Sequence, residues 1–421
     1  MGLAERQRIH QLVPDATRSL QIPSELRQIE VQSLVDVVLT SHETWWRRRA
    51  CAIALAGRVP DECAGALLRC MEDPEQVEEL RGPLVELLAT PGRAHSERLL
   101  GWLRAQEKLE QPYGMDIAVL KARAALHDLT AIPALSVLAA DNWTHRRQAG
   151  EAALDSLLQH AGERSVLEAF GAKTMEALAF QQQRSFEARL LGVRLVHRAG
   201  GDVSGALGDS SVIVAQHAAT LCSPEKTSDD ALWERVHKRA PGHLWALVVL
   251  QRRGVDVRAE WIALGSPRVE LSGVPPDVRE AIVRHYLPGE RETDPRWILE
   301  AAFLESRAEP SDEEEEALIN RAVIALQSAG LRPEKPRNAG EVRQQGGGTF
   351  YEIETSDGTV AVSTLGLFFT AKGRAAGALR DAGYREIDDA LGAIIFEKLH
   401  VYFFGARDPL PVSDLIFYWQ D

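Results

Sequence analysis

Apolar residues recur at helical steps along the first three quarters of the chain. In "SLVDVVLT" they fall at Leu34, Val35, Val38 and Leu39, and in "PLVELLA" at Leu84, Leu87 and Leu88. Steps of three and four place such residues on one helix face. A longer phrase also recurs. It is written first as "TWWRRRACAIALAG", Thr44 to Gly57, and again as "NWTHRRQAGEAALDSLL", Asn142 to Leu158. Weaker copies are "SFEARLLGVRLV" ending at Val196, "SVIVAQHAATLC" ending at Cys222 and "GHLWALVVLQRRG" ending at Gly254. Aligned on a late apolar position, the copies mark Leu55, Leu88, Leu126, Leu154, Leu195, Leu221 and Leu250. Their spacing runs from 26 residues (Leu195 to Leu221) to 41 (Leu154 to Leu195). One helical hairpin per repeat occupies that length.

Breakers stand where the helices should end: Gly57 with Pro60, Pro91 with Gly92, Pro112 with Gly114, Gly200 with Gly201, Pro241 with Gly242. Short breaks imply antiparallel neighbours. Within the phrases, Ala50, Ala52, Ala54, Ala149, Ala152 and Ala153 would let helices approach closely, and Leu, Ile and Val would fill the seams. The pattern predicts helix after helix from residue 1 to about 330, with strands only after 345. The last helix should start at the acidic run "SDEEEEALINRAVIALQSAG". Ser311 is a good N-cap, Glu314 completes a capping box, and acids in the first turn suit the helix dipole. Leu318, Ile319, Val323 and Leu326 supply its apolar stripe, and Gly330 with Pro333 should stop it.

Residues 331–348, rich in Pro, Gly and charge, read as a linker. The grammar then changes. "TFYEIETSDGTVAVST" is two β-rich runs around Ser356, Asp357 and Gly358, a hairpin signal. "TAKGRAAGALRDAG" is a helix closed by Gly383. "GAIIFEKLHVYFFG" and "DLIFYWQ" read as two more strands, separated by a turn at Pro409 and Pro411. The unbroken apolar run Leu415–Trp419 suggests a strand buried on both faces. The expected order over 349–421 is β-β-α-β-β.

The phrases, with an aromatic, then arginines, then alanines leading to a leucine, resemble HEAT or armadillo-type repeats, and especially the bacterial HEAT-like variety. The resemblance covers roughly residues 30–255. It implies a mainly α fold in which residues 1–330 form a HEAT-like α-solenoid, a right-handed superhelix of helix pairs with a concave inner surface. A small α+β domain, 349–421, would follow the linker. Proteins of this kind are mostly scaffolds and adaptors, and a minority are enzymes.

At 421 residues, core burial is not limiting; 45% hydrophobic and 26% charged residues are ordinary for a globular chain, and a scarcity of aromatics favours helix. Arginine far outnumbers lysine, which points to a GC-rich, bacterial genome. The net charge of −13 opposes binding to nucleic acid or anionic lipid, because the arginines are scattered and form no phosphate-tracking stripe. Cys51, Cys63, Cys70 and Cys222 have neither C-x-x-C spacing nor a matching His pair, so no metal is expected. The N-terminus lacks the apolar core of a secretory signal, and no apolar run is long enough to span a bilayer. A reducing, cytoplasmic setting is the expectation.

The sharpest side-chain clusters are Trp45, Trp46 and Arg47 to Arg49, and Trp143 with Arg146 and Arg147. They bring a second resemblance, to HEAT-like alkylpurine DNA glycosylases. It implies Trp46 and Trp143 as stacking residues and Asp141 or Glu43 as the carboxylate. The competing reading is that arginines at repeat-equivalent positions pair with carboxylates of neighbouring turns. The basic runs Arg235, His237 to Arg239 and Arg252, Arg253 read as solvated helix faces. His145, His160, His197 and His217 read as ordinary helix residues. The turn Gly405–Pro411 offers Arg407 and Asp408 beside aromatics, a combination common at interfaces.

The sequence therefore nominates Trp46, Arg49, Trp143, Arg147, Arg407 and Asp408 as partner-binding residues, with no catalytic residue, metal or cofactor. The expected function is a non-catalytic protein-binding scaffold, adaptor or regulator. The alternative is a HEAT-like enzyme, resembling either the alkylpurine DNA glycosylases or the chromophore lyases. The partner is expected to be another protein, with neither nucleic acid nor membrane.

Overall fold

The computed structural model describes residues 3–15, 22–106, 114–286, 292–304, 311–342 and 348–419. The chain gathers into two compact units, Met1–Gly201 and Asp202–Asp421. No strand lies before Arg337 among the described residues, and each of the five recurring phrases forms a helix. No helix is long and apolar enough to cross a membrane.

The first unit comprises α1 (Leu3–Leu12), α2 (Val31–Leu39), α3 (Trp45–Ala54), α4 (Asp61–Glu72), α5 (Glu78–Leu88) and α6 (Ser96–Gln106). It continues with α7 (Met115–Ala125), α8 (Ile132–Leu138), α9 (Thr144–Leu157), α10 (Glu163–Phe170), α11 (Ala172–Phe180) and α12 (Phe186–Arg198). Helices pair in sequence, α2 with α3, α4 with α5, α8 with α9 and α11 with α12, and the second members also meet: α3 on α5, α5 on α7, α7 on α9.

Side-chain register shows that these second members run the same way. A Cβ on Gly82 of α5 would lie 3.8 Å from that of Ala118 on α7, and one turn further on Lys121 meets Glu86 at 2.8 Å. Beside α9, α12 contributes a ladder in ascending order on both helices: Arg147 with Glu187, Glu151 with Arg194, Asp155 with Arg198. The helix starts of this layer thus share one edge.

In two of the pairs a close approach falls at the same place, the seventh residue of the second helix. A Cβ on Gly150 would lie 2.4 Å from the Ala139 nitrogen, and one on Gly192 would lie 2.2 Å from the Ala179 nitrogen. Only glycine allows one helix backbone to rest on the end of the other. In α3 the equivalent residue is Cys51, fully buried, whose thiol burial pushes up to about 12. It behaves as a small apolar group rather than a nucleophile.

The second unit begins with α13 (Val212–Leu221), α14 (Asp229–His237), α15 (His243–Arg252) and α16 (Arg258–Ala263). Residues Trp245 to Leu250 are all buried, as expected for a helix that is apolar all round; α13, α14 and α18 (Pro295–Ala302) pack against it. Then come α17 (Pro276–Tyr286), which precedes α18 in the chain, and α19 (Asp312–Ser328). Helix α19 opens with the expected capping box between Ser311 and Glu314, and Gly330 beyond its end is left-handed at φ 76°.

The remainder is β1 (Arg337–Asn338), α20 (Ala339–Val342), β2 (Phe350–Thr355), β3 (Gly358–Ser363), β4 (Phe368–Thr370), α21 (Gly373–Asp381) and β5 (Arg385–Glu386). After these come α22 (Asp389–Gly392), β6 (Ile395–Phe403), β7 (Ala406–Pro411) and α23 (Val412–Ile416). Strands β1 to β5 form one sheet in chain order, antiparallel except for β4 with β5; β6 and β7 form a separate antiparallel ribbon. The hairpin at Ser356–Gly358 and the helix closed by Gly383 are as expected.

Four expectations are corrected. The order over 349–421 is β-β-β-α-β-α-β-β-α rather than β-β-α-β-β, because the short strands β4 and β5 flank α21 and form only through pairing with their neighbours. Strand pairing begins before 345: β1 and α20 occupy part of the expected linker, because Arg337 and Asn338 pair with Glu352 and Tyr351. Gly346 and Gly347 lie outside the described residues. The turn expected at Pro409 and Pro411 is strand β7. The run "DLIFYWQ" is not a strand: α23 covers its first part, and only Trp419 makes a bridge, to Gly348. A short helix buries Val412, Leu415 and Ile416 together, so a continuous apolar run did not require strand.

Trp297, at 0% exposure, anchors a core shared by α17, α18, β6 and α23. Its ring stacks on Phe396, and its indole N–H donates to the Glu397 carbonyl at 3.1 Å. The chain before 330 and the chain after 349 therefore contribute to one core. A second core joins α19 and α21 to one face of the sheet.

The glycine contacts predict opposite outcomes for two helical Gly→Ala changes. Gly192→Ala should destabilise the chain by about 1–3 kcal/mol, since overpacking against backbone outweighs the helix-propensity gain. Gly101→Ala in α6, where a Cβ meets nothing, should be neutral or stabilising by up to ~1 kcal/mol. Urea titrations of both variants provide the check.

Candidate interaction surfaces

Helix ends leave carbonyls without intrahelical partners, and a buried end must satisfy them. Arginine at the fourth residue of the second helix ties backbone there: the end of α2 for Arg48, and the loop leading into the helix for Arg147 and Arg189. Arg48 of α3 donates to the Val38 carbonyl at 2.8 Å, Arg147 of α9 to that of Asp141 at 2.9 Å, and Arg189 of α12 to those of Gln182 and Arg184. Arg147, nominated as partner-binding, is half-buried in this work and lies 3.9 Å from Glu187.

Carboxylates lock the neighbouring arginines. Glu43 is buried and accepts from Arg47 at 2.6 Å, from Arg6 at 2.7 Å and from His10 at 3.0 Å; Arg47 also reaches Asp15 and the Val13 carbonyl. Burial alone would raise the Glu43 pKa, but these hydrogen bonds outweigh it and bring it from 4.5 to about 2. Buried Asp128 is held likewise by Arg104, Arg123 and Thr130, well below the usual range. Arg146 bridges Asp141 and Asp116 at 2.8 and 2.6 Å.

The two nominated tryptophans differ. Trp46 packs against the first unit's core and donates weakly to the Pro14 carbonyl at 3.4 Å. Trp143 is 63% exposed and meets His145 edge-on. With α5 and α7 between their helices, the structure does not bring them together, nor Glu43 with Asp141.

The shared edge of helix starts carries a row of which the sequence nominated only Trp143. Val77 precedes α5, Trp143 precedes α9 and Phe186 opens α12; their exposures are 39%, 63% and 38%. Their common place one residue before or at the helix start was visible in the repeated phrases, but the parallel register was not. Between α3, α5 and α7 runs a groove of about 690 Å³ lined by Arg49, Glu78, Glu79 and Glu86 over a floor that includes Ala52, Gly82 and Ala118.

In the second unit, Arg407 and Asp408 lie on β7, opposite Tyr402 and Val401. The Arg407 guanidinium sits 5.9 Å from the Tyr402 ring, and Asp408 is exposed. The ribbon reverses at Phe404 and Gly405, both at positive φ, as a two-residue hairpin turn demands. Phe404 is 47% exposed and meets Phe403 and Trp419 edge-on.

A cleft of about 1300 Å³ lies between α17, the β3–β4 loop and β5. Charged pairs line it: Arg385 with Asp277 at 2.7 Å, Arg380 with Glu386 at 2.7 Å, and Arg284 with Glu280. Leu365, Leu367 and Phe368 supply apolar wall. No group of three or more metal-ligating side chains is present among the described residues.

Comparison with models of known families gives no match for this chain, and no curated protein matches it.

The Glu43 network predicts an acid-sensitive first unit. Its folded pKa lies below the unfolded one, so its contribution is complete above about pH 4.5 and falls away as pH drops towards 2. That contribution is about 3 kcal/mol, with roughly 2 kcal/mol lost by pH 3. Glu43→Gln should lower stability at pH 7 and flatten the dependence between pH 5 and 3, as read by urea titration at each pH.

Proposed function

We propose that this chain is a non-catalytic protein-binding scaffold, adaptor or regulator of the HEAT-like α-solenoid kind, working in a bacterial cytoplasm. One observation carries the reading: parallel helices present Val77, Trp143 and Phe186 along a single edge, each well exposed. Exposed aromatic side chains fixed to rigid helices supply contact area at low entropic cost, the composition of interface hot spots. The repeated arginines support it differently. They are engaged with backbone carbonyls and carboxylates, so Arg47, Arg48, Arg146 and Arg147 are poorly placed to grip phosphate. A glycosylase-like site would need Trp46 and a carboxylate free to face a base; Trp46 packs on the core and Glu43 is tied by Arg6, His10 and Arg47.

Two measurements test this. Tagged wild type and the Trp143→Ala, Phe186→Ala double variant are used in parallel affinity capture from the native host. The variant should stay folded, at a cost of roughly 1–2 kcal/mol for the buried part of Phe186, yet lose specific partners by tenfold or more, about 1.4 kcal/mol. Identical partner sets would overturn the reading. In a duplex-DNA anisotropy titration at physiological salt, no submicromolar, salt-sensitive binding should appear; its appearance would favour the glycosylase-like alternative.

A further inference from the structure

Strand β5 closes the five-stranded sheet and pairs with β4 on one side only. The amides of Arg385 and Ile387 donate to the carbonyls of Leu367 and Phe369 at 2.7 and 2.8 Å. Alternation along a strand then turns the N–H and C=O of Glu386 away from β4. Neither makes a hydrogen bond among the described residues, and the same holds for the amides of Gly366 and Leu367. An unpaired strand edge is a template for another chain unless something covers it. Here Arg385 and Glu386 border the large cleft instead, with α17 as its far wall.

We propose that the cleft receives an extended segment of a protein partner, which adds as a further strand on β5. This rests on the protein-binding reading and names the place and form of one contact. A donor and acceptor projecting from a single strand residue match the backbone of another strand. Leu365 and Leu367 offer an apolar wall for alternate side chains of the incoming segment. The half-exposed pairs Arg385–Asp277 and Arg380–Glu386 offer charges of both signs, so the segment carries both acidic and basic side chains.

The geometry provides a selective block. Glu386→Pro removes the outward amide but no hydrogen bond of the β4 ladder, because proline is tolerated where the N–H faces away from its sheet. Glu386→Gln keeps that amide and removes the charge. Ala281→Arg, on the half-buried cleft face of α17, fills the space from the opposite wall. Phage-displayed random dodecapeptides are panned on the full chain, and enriched peptides are synthesised and titrated by fluorescence anisotropy. We expect micromolar binding, kept within about threefold by Glu386→Gln and weakened at least tenfold by Glu386→Pro and by Ala281→Arg at unchanged melting temperature. If Glu386→Pro fails to fold, Ala281→Arg carries the test. No enrichment over bare support, or equal binding to the folded blocking variants, would overturn the proposal. So would stabilisation by nucleoside triphosphates without peptide enrichment, which would assign the cleft to a small anion. If peptides fail but host partners still depend on Trp143 and Phe186, only this inference falls.

Discussion

The first unit depends on how a helix end is buried. In the α8–α9 and α11–α12 pairs the second helix presses against the end of the one before it, and a helix end exposes carbonyls with no intrahelical partner. Arg48, one turn into α3, satisfies one such carbonyl at the end of α2, while Arg147 and Arg189 at the same place in α9 and α12 hold the loops that lead into those helices. Two turns in, glycine at 150 and 192 removes the side chain that would keep the backbones apart. Without Arg48, the carbonyl of buried Val38 would lose that partner, at about 1–3 kcal/mol. Without the glycine, the hairpin would open.

This arrangement changes the meaning of the chain's most eye-catching residues. A tryptophan–arginine cluster suggests stacking and phosphate contacts when read along the sequence. In the fold, the arginines are internal ties and Trp46 belongs to the core. Trp143 is different because it stands just before its helix, largely exposed. Exposed apolar side chains therefore lie along an edge shared by parallel helices rather than within the clusters themselves.

The second unit solves another problem. Its sheet is short, and residues from before and after the acidic helix build the Trp297 core together. Arg279 reinforces that core: it pairs with Glu300 through two hydrogen bonds of 2.7 Å while lying 4.4 Å from the Trp297 ring. A guanidinium so held can cover an aromatic face without leaving a buried charge unpaired. The sheet ends at β5 with its edge open to a cleft, so polar backbone remains available where most of the molecule has satisfied it.

Helices were legible in the sequence because their signals are local. Apolar steps of three and four, the Ser311–Glu314 box and the glycines after helix ends each act within one or two turns. The Ser356–Gly358 hairpin was legible for the same reason. The final apolar run misled because burial on all sides looks alike in strand and helix; the core around Trp297 selected helix for Val412–Ile416. Strand β1 was hidden because two residues in a polar stretch carry no periodicity, and their pairing with β2 arises only from contact. Of the nominated residues, the sequence could mark Trp143 as unusual but could not distinguish it from Trp46. Which face of a helix meets a neighbour is decided by packing between segments far apart in the chain, and exposure follows from that packing alone.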